Sequence, residues 1–300
     1  MPPEPRAASE LFSARIARRL GLWWGRWPRW REPRTYRDAV HRLRERYTCR
    51  RRDDPEEAWR CCEFWQRTLI GKWNGREFAA RHGCRIPELY WCGYAPAKLY
   101  LAPLPDAFVV RPLWGAVRRG VYVVADGQEL LRKQPASASE FRRRILTSSL
   151  MPWTTATLLE EFVKTEDGRY SLPLEYKCYT FGDVVAAIAV IERRDVYAGG
   201  AKHRYYTPAW EPFADPMNVA LPQAAVRNPP PCLDEMLRLA VRLGTAFGTF
   251  VRIDFFSSVH GCVFNEFSST PWRGRTAKGY TRYADELFGA LWQEKFPQCT

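Results

Sequence analysis

The sequence predicts an α+β protein, with two α/β subdomains behind a basic helical N-terminal arm. Three observations carry that prediction. Helix and short strand alternate over residues 54–91. From residue 108 onward, short apolar strands bounded by Gly, Pro and Asp turns surround two amphipathic helices. Charge is unevenly spread: residues 1–52 hold fifteen Arg and no Lys against five acidic residues, +10 of the chain's net +13. The linear division is therefore an arm and helix over 1–52, an N-terminal α/β region over 53–107, and a larger region over 108–300. A chain of 300 residues has ample length to bury a core, and 46% hydrophobic with 26% charged residues excludes a fully disordered one.

The arm comes first. Helices are predicted over 9–22 and 35–52, the second with Val40, Leu43 and Tyr47 at helical spacing. Between them Arg alternates with Trp23, Trp24, Trp27 and Trp30. That mixture suits an anionic membrane surface, with Trp at the interface and Arg on phosphate. A solvated arm packing its tryptophans on the body is the favoured explanation, the membrane surface comes second, and RNA binding by stacking and charge is the least favoured of the three. No run approaches the ~18 apolar residues of a membrane span. The short apolar run at 20–24 is hemmed in by arginines, so no signal peptide is predicted. Nine scattered cysteines without a C-x-x-C pair, and four histidines, predict reduced, partly buried thiols in a cytoplasmic protein and no zinc site.

Asp54-Pro55-Glu56-Glu57 starts a helix predicted to reach Ile70, followed by a helix over 76–82 that Gly83 ends and a strand over 86–91. Strands follow at 108–112, 121–124 and 157–163, with a loop holding Gly115 and Gly120 between the first two and a helix at 137–150. A hairpin is predicted from 175–181 and 184–192 around Gly182-Asp183. Asn228-Pro229-Pro230-Pro231 is a stiff break. Beyond it, Met236, Leu239, Ala240 and Leu243 mark one face of a helix over 233–247. Strands at 250–256 and 262–267 form the last hairpin, and a helix covers 283–292.

That last hairpin carries the chemistry. Alternate residues of a strand share a face, so Arg252 pairs with Asp254, and Glu266 with Ser268. Two facing strands bring Asp254 and Glu266 within reach of one cation. A buried carboxylate pair is costly unless compensated. Mg²⁺ compensates it with hard-oxygen coordination while keeping positions for phosphate and water, and Arg252 beside them can clamp a phosphoryl oxygen. The alternative is a surface hairpin with ordinary salt bridges, against which the apolar neighbours argue.

The string VRIDFF…GCVFNEFSSTP resembles the last two strands of the ATP-grasp superfamily, where R-x-D and E-x-N strands hold the magnesium of MgATP, as in D-alanine–D-alanine ligase. The wider layout resembles the TupA-like branch, associated with teichuronopeptide and surface-polysaccharide synthesis: GKWNGREFAARHGCRIPELYW for its opening helix and strand, LPDAFVVRP for its first nucleotide-binding strand, LLEEFV and LPLEYKCYTFG for its hinge and the strand after it. The likeness covers residues 68–292. It implies a fold whose two α/β subdomains grip ATP, with Mg²⁺ and ATP as cofactors, and carboxylate–amine ligation through an acylphosphate. It also implies Asp254, Glu266 and Ser268 as metal ligands, Ser268 standing where Asn is usual. Arg252 falls on the transferred phosphate. Glu160 and Glu161 fall at the adenine hinge, Glu175 on the ribose and Lys177 at a basic position of the branch. Arg111 replaces the usual nucleotide-contacting Lys, and Gly115 lies in the phosphate-covering loop. The implied acceptor is an anionic carboxylate, a saccharide or glutamyl polymer. Lys202, His203 and Arg204, with Lys202 the candidate catalytic member, and Arg273, Arg275 and Lys278 are placed to meet it, unless they are plain surface charge. The competing functional class is a non-catalytic ATP-grasp-like protein on anionic membrane or nucleic acid, favoured by Arg111 and Ser268.

Overall fold

A computed structural model describes residues 49–93, 104–113, 120–136, 139, 157–193, 201–271 and 279–297. The Arg/Trp arm, Gly115, the helix at 137–150 apart from Ser139, and Arg273, Arg275 and Lys278 lie outside them. Among the described residues the fold is α+β, with two antiparallel sheets and few helices. They divide into two compact units. The first takes the residues up to Asn74, Glu88–Glu129 and Pro135–Glu161; the second takes Gly75–Pro87, Leu130–Gln134 and the residues from Phe162. The units interleave along the chain.

In the first unit, strands β1 (Leu89–Gly93), β2 (Phe108–Pro112), β3 (Tyr122–Ala125), β4 (Gln128–Glu129), β5 (Gln134–Pro135) and β6 (Thr157–Glu161) order as β1-β6-β2-β3-β4-β5. Phe108, Val110, Tyr122, Val124 and Leu159 form a core on one face. The helix predicted over 54–70 is instead a single turn, α1 (Glu56–Trp59), and a 3₁₀ segment, Trp65–Ile70. Its buried anchors are Trp59 and Trp65. A gap of six residues turns an α-helix about 240°, which leaves such anchors about 120° apart, and the chain breaks between them with both buried. Helix α2 (Lys72–Arg81) begins earlier than predicted, and Gly83 with φ 79° closes it in the left-handed region.

The second unit is built on strands β7 (Glu175–Phe181), β8 (Val184–Arg193), β9 (Ala201–Tyr206), β10 (Phe250–Ser258) and β11 (Gly261–Ser268), ordered β11-β10-β7-β8-β9. The sequence pattern does not mark β9 as a strand. Its alternation of buried Ala201, His203 and Tyr205 with exposed Lys202 is masked there by the charges of Lys202, His203 and Arg204. Helix α3 (Leu233–Phe247) starts and stops where its pattern predicts. Asp234 and Glu235 stand in the first turn, Gly248 adopts the left-handed cap at φ 76°, and Met236, Leu239, Ala240, Leu243 and Phe247 are buried. Helix α4 (Arg282–Lys295) is capped by the Thr281 hydroxyl, which accepts the Ala284 N–H at 3.2 Å.

At Gly244 of α3, a Cβ would meet the Gly182 carbonyl and the Thr180 side chain of the β7–β8 hairpin. Backbone cannot yield as a side chain end can. Gly244→Ala is expected to lower the unfolding free energy by about 1–3 kcal/mol in urea titrations; an unchanged midpoint would show that the helix can slide. The eight cysteines of the described residues are free thiols, and burial pushes those of Cys49 and Cys84 up to about 12.

Candidate active site

The last hairpin turns through Val259 and His260, with Ser258 facing Gly261. From that turn a regular ladder would set Asp254 opposite Asn265. The register instead shifts beyond Phe255↔Phe264, and Asp254 faces Glu266. Asn265 is thus the extra residue of a β-bulge. The driving force is apolar. Phe264 and Phe267, three residues apart, are both buried, and their rings pack 4.7 Å apart between centroids. A regular strand would put them on opposite faces. The bulge lets both enter the core, Phe267 against Phe78 and Phe247 and Phe264 against Phe255, and turns Glu266 to the face of Asp254.

Across β10 the ladder pairs Asp254 with Lys177 and Arg252 with Tyr179. Glu175, Lys177, Arg252, Asp254, Glu266 and Ser268 therefore share one face of the second sheet. Their charges alternate as a chain. Arg193 grips Glu175 with two nitrogens, Nη2 at 3.1 Å from Oε2. Glu175 Oε2 lies 2.8 Å from Lys177 Nζ, and Lys177 donates a short hydrogen bond to Asp254 Oδ2. Arg252 closes a fork on Asp254, Nε to Oδ1 at 2.7 Å and Nη2 to Oδ2 at 2.8 Å. Arg252 Nη2 also lies 3.9 Å from Glu266 Oε1. Side-chain exposure rises from 0% at Asp254 to 37% at Glu266.

Burial alone would push the Asp254 carboxyl up, but the Arg252 guanidinium and Lys177 ammonium outweigh it and hold it below the usual carboxylate range. In the same way burial would lower Lys177, while Asp254 and Glu175 hold it above its ordinary value. Beside this chain, the hydroxyls of Tyr280, Tyr179 and Tyr205 meet at 3.1 and 3.3 Å, and Phe288 of α4 stacks on Tyr179.

The predicted residues separate into three groups. Arg252, Asp254, Glu266, Ser268, Glu175 and Lys177 are brought together. Arg111, Glu160 and Glu161 lie in the first unit. Arg111 is buried and its Nε donates to Glu160 Oε2 at 2.5 Å; Glu161 Oε2 accepts the Glu88 N–H at 3.0 Å, tying β6 to the chain before β1. Lys202 does not join the cluster. Ile191 pairs with both Glu175 and His203, while Lys202 pairs with Glu192. Strand alternation therefore puts exposed Lys202 on the opposite face of the sheet. Arg193 and the three tyrosines went unnoticed in the sequence. Arg193 ends a hydrophobic strand with nothing to mark it, though its parity with Ile191 places it on the face of Glu175.

Asp254, Glu266 and Ser268 offer hard oxygen donors side by side. Among the described residues no group of three or more His, Cys, Asp and Glu forms a metal cluster. Mg²⁺ that arrives with phosphates needs only one or two carboxylates, and keeps its other positions for phosphate and water. The residues fit such an ion, with Lys177 and Arg252 at hand for phosphate oxygens.

This fold, with its face of acids flanked by Lys and Arg, is of the ATP-grasp class. A model of the TupA-like ATP-grasp family matches residues 77–293. The chain belongs to that family. No curated protein matches the sequence. Solved structures give distant likenesses. D-alanine–D-alanine ligase from Bacillus anthracis in complex with ATP is 13% identical, with 78% of this chain and 68% of that one covered at a TM-score of 0.46. The ATP-grasp ligase PsnB with a minimal precursor is 14% identical, with 75% and 61% covered at 0.42. The family match, not these superpositions, carries the assignment. Among the described residues no helix is long and apolar enough to cross a membrane.

Proposed function

We propose that this protein is an ATP- and Mg²⁺-dependent ligase joining a carboxylate to an amine. The observation that carries the reading is the charge chain from Arg193 to Glu266 on one sheet face, in a chain of the TupA-like ATP-grasp family. In this reading Lys177 and Arg252 bind phosphate oxygens, while Asp254 and Glu266, with the Ser268 hydroxyl, hold Mg²⁺. Bound there, the ion would neutralise charge on the phosphate oxygens. A substrate carboxylate oxygen takes the γ-phosphoryl group from ATP, releasing ADP. The amine nitrogen then attacks the acyl carbon, phosphate leaves, and the nitrogen gives up a proton. Arg252 stabilises the charge on the transferred group, and Arg193 holds Glu175 in place for the ribose. Glu160 and Glu161 are assigned to the adenine, with Arg111 beside them. The acceptor we assign is an anionic saccharide or glutamyl polymer of cell-surface synthesis, with residues 1–52 contacting anionic membrane. Lys202, on the other face, has no part in this scheme.

The burial of Arg111 against Glu160 favours a second reading, a nucleotide binder without turnover, because that guanidinium is committed within its own sheet. One experiment separates the two. Under the ligase reading MgATP raises the melting temperature, and ADP is released when a panel of carboxylates and amines contains the substrates. A thermal shift without ADP release across the panel supports the binder. Absence of both overturns the nucleotide site.

A further inference from the structure

We propose that Lys177 and Arg252 lock Asp254 against divalent metal in the ligand-free protein, and that polyphosphate oxygens release the lock, so that metal and nucleotide bind as a linked pair. The inference rests on the ligase reading and adds the order imposed on its site.

Both Asp254 oxygens are engaged. Oδ1 accepts from Arg252 Nε at 2.7 Å, and Oδ2 accepts from Arg252 Nη2 at 2.8 Å and from Lys177 Nζ. A carboxylate offers about four acceptor positions, so roughly one is left for a metal. The side chain is 0% exposed, which denies an incoming ion a hydrated approach to it. Among the described residues the ion-pair chain is balanced: Arg193, Lys177 and Arg252 stand against Glu175, Asp254 and Glu266. A bare divalent ion would have to displace two cations and then face them at close range, in a setting where like charges repel strongly. A triphosphate changes the exchange. Its oxygens satisfy the ammonium and guanidinium as charge-assisted acceptors, the Asp254 carboxylate is freed, and the ion enters with the charge still compensated. Glu266 is already available at the rim, 37% exposed and 3.9 Å from Arg252. Linkage makes the effect reciprocal, so the metal tightens polyphosphate by the same factor.

The test is water-proton relaxation on the full chain with Mn²⁺ as the probe, since Mn²⁺ held by the protein relaxes water far more than Mn²⁺ on free nucleotide. Adenylyl imidodiphosphate serves as the unreactive nucleotide, and displacement of a fluorescent ATP analogue reports nucleotide binding independently. Wild type is expected to take up Mn²⁺ roughly ten- to a hundredfold more tightly with the nucleotide than without it. Lys177→Met is expected to bind Mn²⁺ without nucleotide, and to lose that binding when combined with Glu266→Gln. Equal Mn²⁺ affinity in wild type with and without nucleotide overturns the lock while leaving the ligase reading in place, as does a folded Lys177→Met that gains no Mn²⁺. Failure of the nucleotide to displace the fluorescent analogue overturns the ligase reading, and the lock with it. Should Lys177→Met not fold, Lys177→Gln takes its place in the same Mn²⁺ titration without nucleotide, and a folded Lys177→Gln that gains no Mn²⁺ overturns the lock.

Discussion

Asp254→Ala is expected to lower the unfolding free energy by about 3–5 kcal/mol in urea titrations at neutral pH. The residue is fully buried with two cations on its oxygens. Truncation leaves the Lys177 ammonium and Arg252 guanidinium, 10% and 13% exposed, close together with no carboxylate between them. The cost lies less in the lost bonds than in two buried cations left with only Glu175 beside Lys177 and Glu266 at 3.9 Å from Arg252. Replacing Lys177 by Met together with Asp254→Leu is therefore expected to be milder than the two single changes summed, by at least about 1 kcal/mol. Titration supplies a second signature. The folded carboxyl is held below its unfolded value, near 3.9 in model peptides, so the unfolded state binds the proton more readily. The stability this group contributes is present above that pH and is lost as pH falls below about 4. Part of the acid loss is then absent in Asp254→Asn. A variant Asp254→Ala within about 0.5 kcal/mol of wild type would mean that the cluster is not electrostatically coupled.

Glu266→Gln is expected to behave oppositely. Its side chain is 37% exposed and its nearest cation among the described residues, Arg252, is 3.9 Å away, so the unfolding free energy should stay within about 0.5 kcal/mol of wild type, as for an ordinary surface change. Under the proposed function it removes a carboxylate from Mg²⁺. Changes even to groups that merely support a metal ligand cost about 10–100-fold, so loss of a ligand should weaken Mg²⁺-dependent nucleotide binding by about a hundredfold or more. The measurement is the Mg²⁺ concentration required for the nucleotide-induced rise in melting temperature. An unchanged requirement would remove Glu266 from the metal site and leave Asp254 as a purely structural residue. Under the proposed function, Asp254 would hold both the fold and the ion, and Glu266 the ion alone.

Sequence alone determined the elements whose patterns are local. Helix α3 was legible because its apolar period, acidic first turn and Gly248 cap agree. The β7–β8 hairpin was legible because two apolar runs flank Gly182-Asp183, with Gly182 at φ 60°. The charged strings around Arg252 and Glu266 were visible as strings, since a strand's own alternation is enough to place Arg252 with Asp254. Tertiary structure decided what depends on partners. The break between Trp59 and Trp65 and the strand β9 hidden in a basic stretch both follow from which side chains find a core to enter. The face on which Lys202 sits depends on a pairing partner ten residues away, which no local period encodes. The opposition of Asp254 and Glu266 required the bulge at Asn265, and that bulge exists because Phe264 and Phe267 must both leave water on the same side. Apolar burial between distant segments sets the register, and the register sets which charges meet.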